Sequence, residues 1–264
     1  MPKFSLDSLT LTDTEPMELI EAAAEAGFGT ISLWVQPPAL YPSSACTAEK
    51  EADCARRIRD TGIAIETLEV FDLHSFEALE AYRPALERGA RLGGKTALVL
   101  NYSNPDRGQS AELLGKFAEI AAEYGIGANL EPVAGGKTSS LQQAAELIAA
   151  SGADAGVVLD PFHLIRSGGS VADIAALPEG MIRYVQLCDG PLQVPPEIAA
   201  SEAIGHRLYP GEGEFPLLEI LRAAPSDVTI GIECPSLARV RAGQTASVQA
   251  REAMAAIKRI LQET

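Results

Sequence analysis

Four polar residues stand where short apolar runs end or turn polar. The run IGANLEP reaches Glu131, GVVLDPFH reaches Asp160, YVQLCDG carries Gln186 and TIGIECP reaches Glu233. Three carboxylates brought to one buried mouth repel each other and resist leaving water unless a cation sits between them. A divalent ion removes that conflict. Glu131, Asp160 and Glu233 offer carboxylate oxygens and Gln186 an amide oxygen. This hard, all-oxygen set suits Mn²⁺ or Mg²⁺ first, with Co²⁺ or Zn²⁺ as alternatives. Taken singly, each of the four also reads as a helix cap or a solvated rim charge.

His163 follows Asp160 by three residues in DPFHL, where an imidazole can shuttle a proton or hold a substrate hydroxyl. A structural histidine is the plainer alternative. Arg207, in HRLYPGEGE, is the candidate clamp for a substrate oxygen, its plainer alternative being an ion pair with Glu212 or Glu214. Trp34 and Phe71, at and just past two other run ends, are candidates for an apolar wall against a sugar-like ligand. Equally, the two rings pack in the core.

These residues need elements to hold them. Eight short β-branched runs are predicted as strands: Phe4–Thr10, Thr30–Trp34, Ile63–Val70, Thr96–Leu100, Gly127–Glu131, Ala155–Asp160, Arg183–Cys188 and Val228–Glu233. From the second onward they recur at a spacing of about 30 residues, until one long gap that holds PLQVPPEIAASEAIGHRLYPGEGEF. That irregular segment reads as an active-site loop. Helical spacing covers Glu15–Ala26, Thr47–Thr61, Phe76–Leu92, Ser110–Tyr124, Ser140–Ser151 and Ser247–Gln262, with shorter candidates at Val171–Ala176 and Phe215–Ala223. Thr14, Thr47 and Ser110 are expected as N-caps, and Gly27, Gly62 and Gly125 just past helix ends. The alternation predicts an α/β protein, a closed (β/α)₈ TIM barrel forming a single domain over 1–264, with catalytic groups at the C-terminal ends of the strands.

Composition sets outer bounds on function. In 264 residues, 47% hydrophobic and 22% charged, there is material for a large core. The formal charge of −15 opposes nucleic acid and anionic lipid as partners. No apolar run is long enough to span a bilayer, and MPKFSLDSLT lacks the apolar stretch of a secretory signal, so a cytoplasmic location is expected. Four scattered cysteines suggest no disulfide framework, and Cys188 and Cys234 read as inert buried thiols. Three histidines leave little for a structural zinc site. There is no G-x-G-x-x-G and no P-loop, and Gly135-Gly136 alone is weak evidence for phosphate.

The segments NLEPV, VVLDPFHL, YVQLCDG, RLYPGEGEF and IECPS together resemble the xylose-isomerase-like barrel superfamily of sugar isomerases and epimerases, whose relatives include inosose dehydratase, 3-dehydroshikimate dehydratase and endonuclease IV. The resemblance implies one divalent metal on Glu131, Asp160, Gln186 and Glu233, with Glu131 and Glu233 serving also as bases. Gln186 departs from members that carry histidine there and is similar to some dehydroshikimate dehydratases. Lys137 stands where epimerases often have a further glutamate. The endonuclease branch needs more histidines than this chain has. The expected activity is a metal-dependent isomerase or epimerase of a small keto-sugar or polyol, working through an enediolate. The alternatives are a dehydratase (lyase) of a 3-dehydroshikimate- or inosose-like substrate, or a non-catalytic sugar-binding barrel. The expected partner is a small polyhydroxylated molecule, and a homo-oligomer is left open.

Overall fold

The structure, a computed structural model, describes residues 3–104 and 106–262. The outermost two residues at each end of the expected 1–264 domain, and Pro105, lie outside the described residues. Eight parallel strands close into a barrel: β1 (Phe4–Leu6), β2 (Thr30–Trp34), β3 (Ala64–Asp72), β4 (Thr96–Leu100), β5 (Gly127–Glu131), β6 (Ala155–Leu159), β7 (Ile182–Leu187) and β8 (Thr229–Ile232). Closure is made by β8 on β1, with Phe4 opposite Ile230 and Ser5 opposite Gly231. The expected (β/α)₈ barrel is the observed fold.

Helices cover the outside and bury the apolar faces that their spacing predicted. Helix Pro16–Ala26 packs against both Glu51–Thr61 and the last helix, Ala246–Gln262, and so closes the outer ring. Most of the hydrophobic core lies between this ring and the sheet. A second, small cluster of Leu98, Val158 and Tyr184 joins β4, β6 and β7, which are not neighbours in pairs across the whole set and so meet through the barrel interior.

Side chains alternate faces along a strand, so a residue two positions beyond an interior one also points inward, one layer nearer the C-terminal mouth. Val158 therefore predicts Asp160 inside, and Tyr184 predicts Gln186. Register extends the rule: Leu100 is opposite Glu131, Gln186 is opposite Gly231, and Glu233 follows Gly231 by two. One layer of the barrel thus gathers the polar residues.

Several boundaries differ from expectation, each for a local reason. β1 stops at Leu6 because the chain turns at Asp7 into a 3₁₀ helix over Ser8–Leu11, where the Thr10 hydroxyl donates to the Ile232 carbonyl at 2.6 Å. The N-cap positions are Glu15, Lys50 and Asp106 rather than Thr14, Thr47 and Ser110. Pro16 sets the start of the first helix, a turn from Thr47 to Lys50 precedes the second, and the Asp106 carboxylate caps the Gln109 N–H. The stretch Phe76–Leu92 breaks into Phe76–Ala81 and Arg83–Arg91, where Pro84 in the first turn cannot continue a helix from before it. Gly27 and Gly62 take the left-handed conformation expected of helix ends.

Candidate metal centre

Asp160 is placed by its own helix. It is the N-cap of Pro161–Arg166, a helix too short for apolar periodicity to reveal, and its Oδ1 accepts from the Phe162 N–H at 2.7 Å. The Cys188 thiol donates to the same oxygen at 3.5 Å. Oδ2 accepts from the Arg207 guanidinium at 2.7 Å. His163 sits in the next turn, with Nε2 at 3.8 Å from Asp160 Oδ2 and at 3.8 Å from Glu131 Oε1. One donor atom from each of Glu131, Asp160 and His163 lies within 4.8 Å of the others.

The other half of the site is organised by Arg207. Only 2% exposed, its Nη1 lies 2.7 Å from Asp160 Oδ2 and 2.9 Å from Glu233 Oε2, while its Nε donates to the Ala203 carbonyl at 2.8 Å. It does not pair with Glu212 or Glu214: Glu212 holds Arg239, and Glu214 accepts from the Leu192 N–H. Gln186 donates its amide N–H to Glu233 Oε1 at 2.9 Å. Its own Oε1, like Glu131 Oε1, is buried with no hydrogen-bond partner among the described residues.

Buried oxygens without donors are costly unless something positive completes them. The two oxygens, with the Asp160 and Glu233 carboxylates that Arg207 bridges, make an all-oxygen set that fits a hard divalent cation. His163 does not join it. The Ala134 N–H donates to His163 Nδ1 at 3.1 Å, so a neutral imidazole must carry its proton on Nε2, and a protonated nitrogen has no lone pair for a metal. Nε2 lies between Arg207 Nη2, at 3.5 Å, and the Glu131 and Asp160 carboxylates, at 3.8 Å each.

Burial sets the electrostatics. It pushes the Glu131 carboxyl well above the usual range, with Glu233 and Asp160 adding to the effect and Arg207 opposing it. Glu233 is raised to about 7, again chiefly by burial. His163 is lowered to about 4 by burial, so the ring is neutral near pH 7. Burial likewise raises the Cys188 and Cys234 thiols, which keeps both protonated.

Two of the expected substrate contacts are buried. Phe71 is fully buried, its ring centroid 5.2 Å from those of both Tyr82 and Phe117. This corrects its expected place in a ligand wall: the register shift between Leu68 and Phe71 on β3 breaks the alternation after Glu69 and turns Phe71 outward into the layer between sheet and helices. Trp34 is 4% exposed and stacks on Tyr41 at 6.4 Å.

Three interior residues escaped the sequence reading. Asp7 lies beneath Gln186, accepting from the Ser5 and Tyr184 hydroxyls, and burial raises its carboxyl to about 8. Glu69, 1% exposed on β3, has an unpartnered Oε1. Gly231 makes room for the Asp7–Tyr184 pair, because a Cβ there would run into both side chains. The available signal was Asp7 itself, an acid closing the first apolar run, hidden when that strand is drawn through to Thr10.

Comparison with known proteins places this barrel. A 3-dehydroshikimate dehydratase of Pseudomonas aeruginosa is 31% identical over 232 residues, covering 82% of this chain and 35% of the relative, so the chain spans about a third of that protein's length. Among solved structures, the IOLI protein with a bound zinc atom superposes with a TM-score of 0.82 at 19% identity, covering 99% of this chain and 98% of the other. An L-ribulose 3-epimerase superposes with a TM-score of 0.74 at 18% identity, covering 100% and 95%. At such identities these two show the fold. The family model described as xylose isomerase-like TIM barrel matches residues 20–260, nearly the whole closed sheet with its helices, and the chain belongs to that family.

Proposed function

We propose that the protein is a divalent-metal-dependent lyase that removes water from a small hydroxylated keto acid of the 3-dehydroshikimate type. Glu131, Asp160, Gln186 and Glu233 would hold the ion, whose contribution when bound is to polarise the substrate carbonyl and acidify the neighbouring C–H. Glu131 is the base. Asp160 and Glu233 are both tied to Arg207, whereas Glu131 keeps an oxygen without a partner. It takes the α-proton, the C–O bond to the β-hydroxyl breaks, and the proton leaves with that hydroxyl as water. Arg207 stabilises the charge that develops on the carbonyl oxygen.

The observation that carries this reading is the Ala134 N–H on His163 Nδ1. It sets the Nε2–H tautomer 3.8 Å from Glu131 Oε1, a carboxylate oxygen without a hydrogen-bond partner, an arrangement suited to holding a departing hydroxyl next to the base that takes the proton. The dehydratase relative supports the same chemistry. A second reading, a keto-sugar isomerase or epimerase, is favoured by the likeness to L-ribulose 3-epimerase along nearly the full length of both chains.

Incubation of the Mn²⁺- or Mg²⁺-loaded protein with 3-dehydroshikimate tests the choice. Dehydration creates a conjugated product and a new ultraviolet absorbance. No absorbance change, together with deuterium uptake from solvent into a ketose, would favour the second reading instead.

A further inference from the structure

A second cavity, of about 160 Å³, opens beside the barrel mouth between helix Arg107–Ala122 and helix Leu141–Ser151, and none of the proposed metal ligands lines it. Its floor is polar and buried. Asn101, 3% exposed, donates its amide to the Ser110 and Thr138 hydroxyls at 3.1 Å each, while its Oδ1 is buried with no partner among the described residues. The rim is cationic. Arg107 shares Glu146 at 3.2 Å, and Lys137 makes no ion pair among the described residues. Two cations against one carboxylate make a local positive excess in a chain of net charge −15.

We propose that this cavity is a ligand site for a small hydroxycarboxylate, separate from the metal centre. The carboxylate lies at Arg107 and Lys137, and a ligand hydroxyl donates to Asn101 Oδ1 once a turn of the amide brings that buried oxygen to the cavity surface. A volume of about 160 Å³ is close to that of cavities of roughly 150 Å³ that take up a benzene-sized molecule, room for one small organic acid. An unfilled acceptor at the bottom and unbalanced cations at the top ask for a molecule with an O–H at one end and a negative charge at the other.

Occupancy reaches His163 through one loop. The Lys137 and Thr138 N–H groups both donate to the Asn101 carbonyl, at 2.9 and 3.2 Å, and Val133 N–H donates to the Thr138 carbonyl at 3.0 Å. The next residue, Ala134, is the one whose N–H fixes the His163 ring. A ligand that braces Lys137 and Thr138 therefore bears on the orientation of the imidazole.

Calorimetric titration of the Mg²⁺-loaded protein with D-glycerate and D-gluconate, which chelate metal weakly, tests the site. Saturable binding with a Kd on the order of 1 mM is expected. Ala150→Phe, at the exposed edge of the cavity, and Lys137→Glu should each weaken it about tenfold or more, with metal content unchanged. Glu233→Gln should leave it intact, which separates this site from the metal centre. Binding should also move the His163 Nδ1 resonance in ¹⁵N NMR. No saturable binding, equal binding by Ala150→Phe, or loss in Glu233→Gln overturns the site. Inorganic phosphate binding as tightly as glycerate overturns the hydroxycarboxylate assignment, and a stationary His163 resonance overturns the link to the imidazole.

Discussion

Carboxylates crowded into a dry site either keep protons or share a cation, and the metal-free protein does some of each. Glu131 and Glu233 are held above their ordinary range, Glu233 at about 7, while Arg207 supplies one positive charge. In the folded state these groups bind protons more tightly than in the unfolded chain. Metal-free stability should therefore fall as pH rises from about 4.5 through about 7, because ionisation is penalised only in the fold. A bound divalent ion reverses that penalty. Metal affinity should rise over the same window with proton release, measurable by calorimetry in buffers of different ionisation enthalpy. Glu131→Gln should keep the fold and lose about 10²–10⁴-fold in turnover, read in single-turnover assays; unchanged turnover would remove Glu131 as the base. Arg207→Met breaks a buried pair and should destabilise the metal-free protein by about 3–5 kcal/mol. In that variant, added Mn²⁺ should raise the melting temperature more than in the wild type. The acids at strand ends were legible because each interrupts an apolar run. The bridging by Arg207 was not, since only the closed barrel brings position 207 beside 160 and 233.

The segment after β7 positions Arg207, and a single carboxylate organises it. Asp189, 2% exposed, accepts four backbone N–H groups: Gly190 and Phe215 on Oδ1 at 2.8 and 3.0 Å, Gly211 and Gly213 on Oδ2 at 3.0 Å each. Gly213 is required there, because a Cβ would collide with the Asp189 carboxylate. Arg166 binds both oxygens of Glu202, at 2.7 and 2.8 Å, and pins the far end. Asp189→Asn replaces an acceptor oxygen with a donor facing N–H groups, at about 1–3 kcal/mol for each unsatisfied group. Proteolysis within 190–214 should accelerate, and turnover should fall as Arg207 loses its support. Protease resistance equal to wild type would show that the loop is held by something else. Pro and Gly content marks this stretch as irregular in the sequence, whereas the helices Pro161–Arg166, Glu202–Gly205 and Leu237–Arg241 carry no such mark. Elements of four to six residues carry less than two turns of periodicity, so no apolar pattern marks them. The strands were legible because each is a buried β-branched run between turn residues.

Taken whole, the barrel brings stretches more than a hundred residues apart to one mouth. Glu131 and Glu233 belong to a layer that only β8 closing on β1 can complete. No helix among the described residues is long and apolar enough to cross a membrane. Metal should bind the folded chain alone and stabilise it, by about 2.7 kcal/mol at a hundredfold excess over Kd, read as a rise in melting temperature. The most direct measurement is the metal content of the purified chain and its variants after equilibration with Mn²⁺, by elemental analysis and electron paramagnetic resonance. One ion per chain is predicted for the wild type and for His163→Gln, with binding lost in Glu131→Gln and Glu233→Gln. An empty wild-type protein, or a His163→Gln variant as empty as Glu233→Gln, would contradict the ligand set.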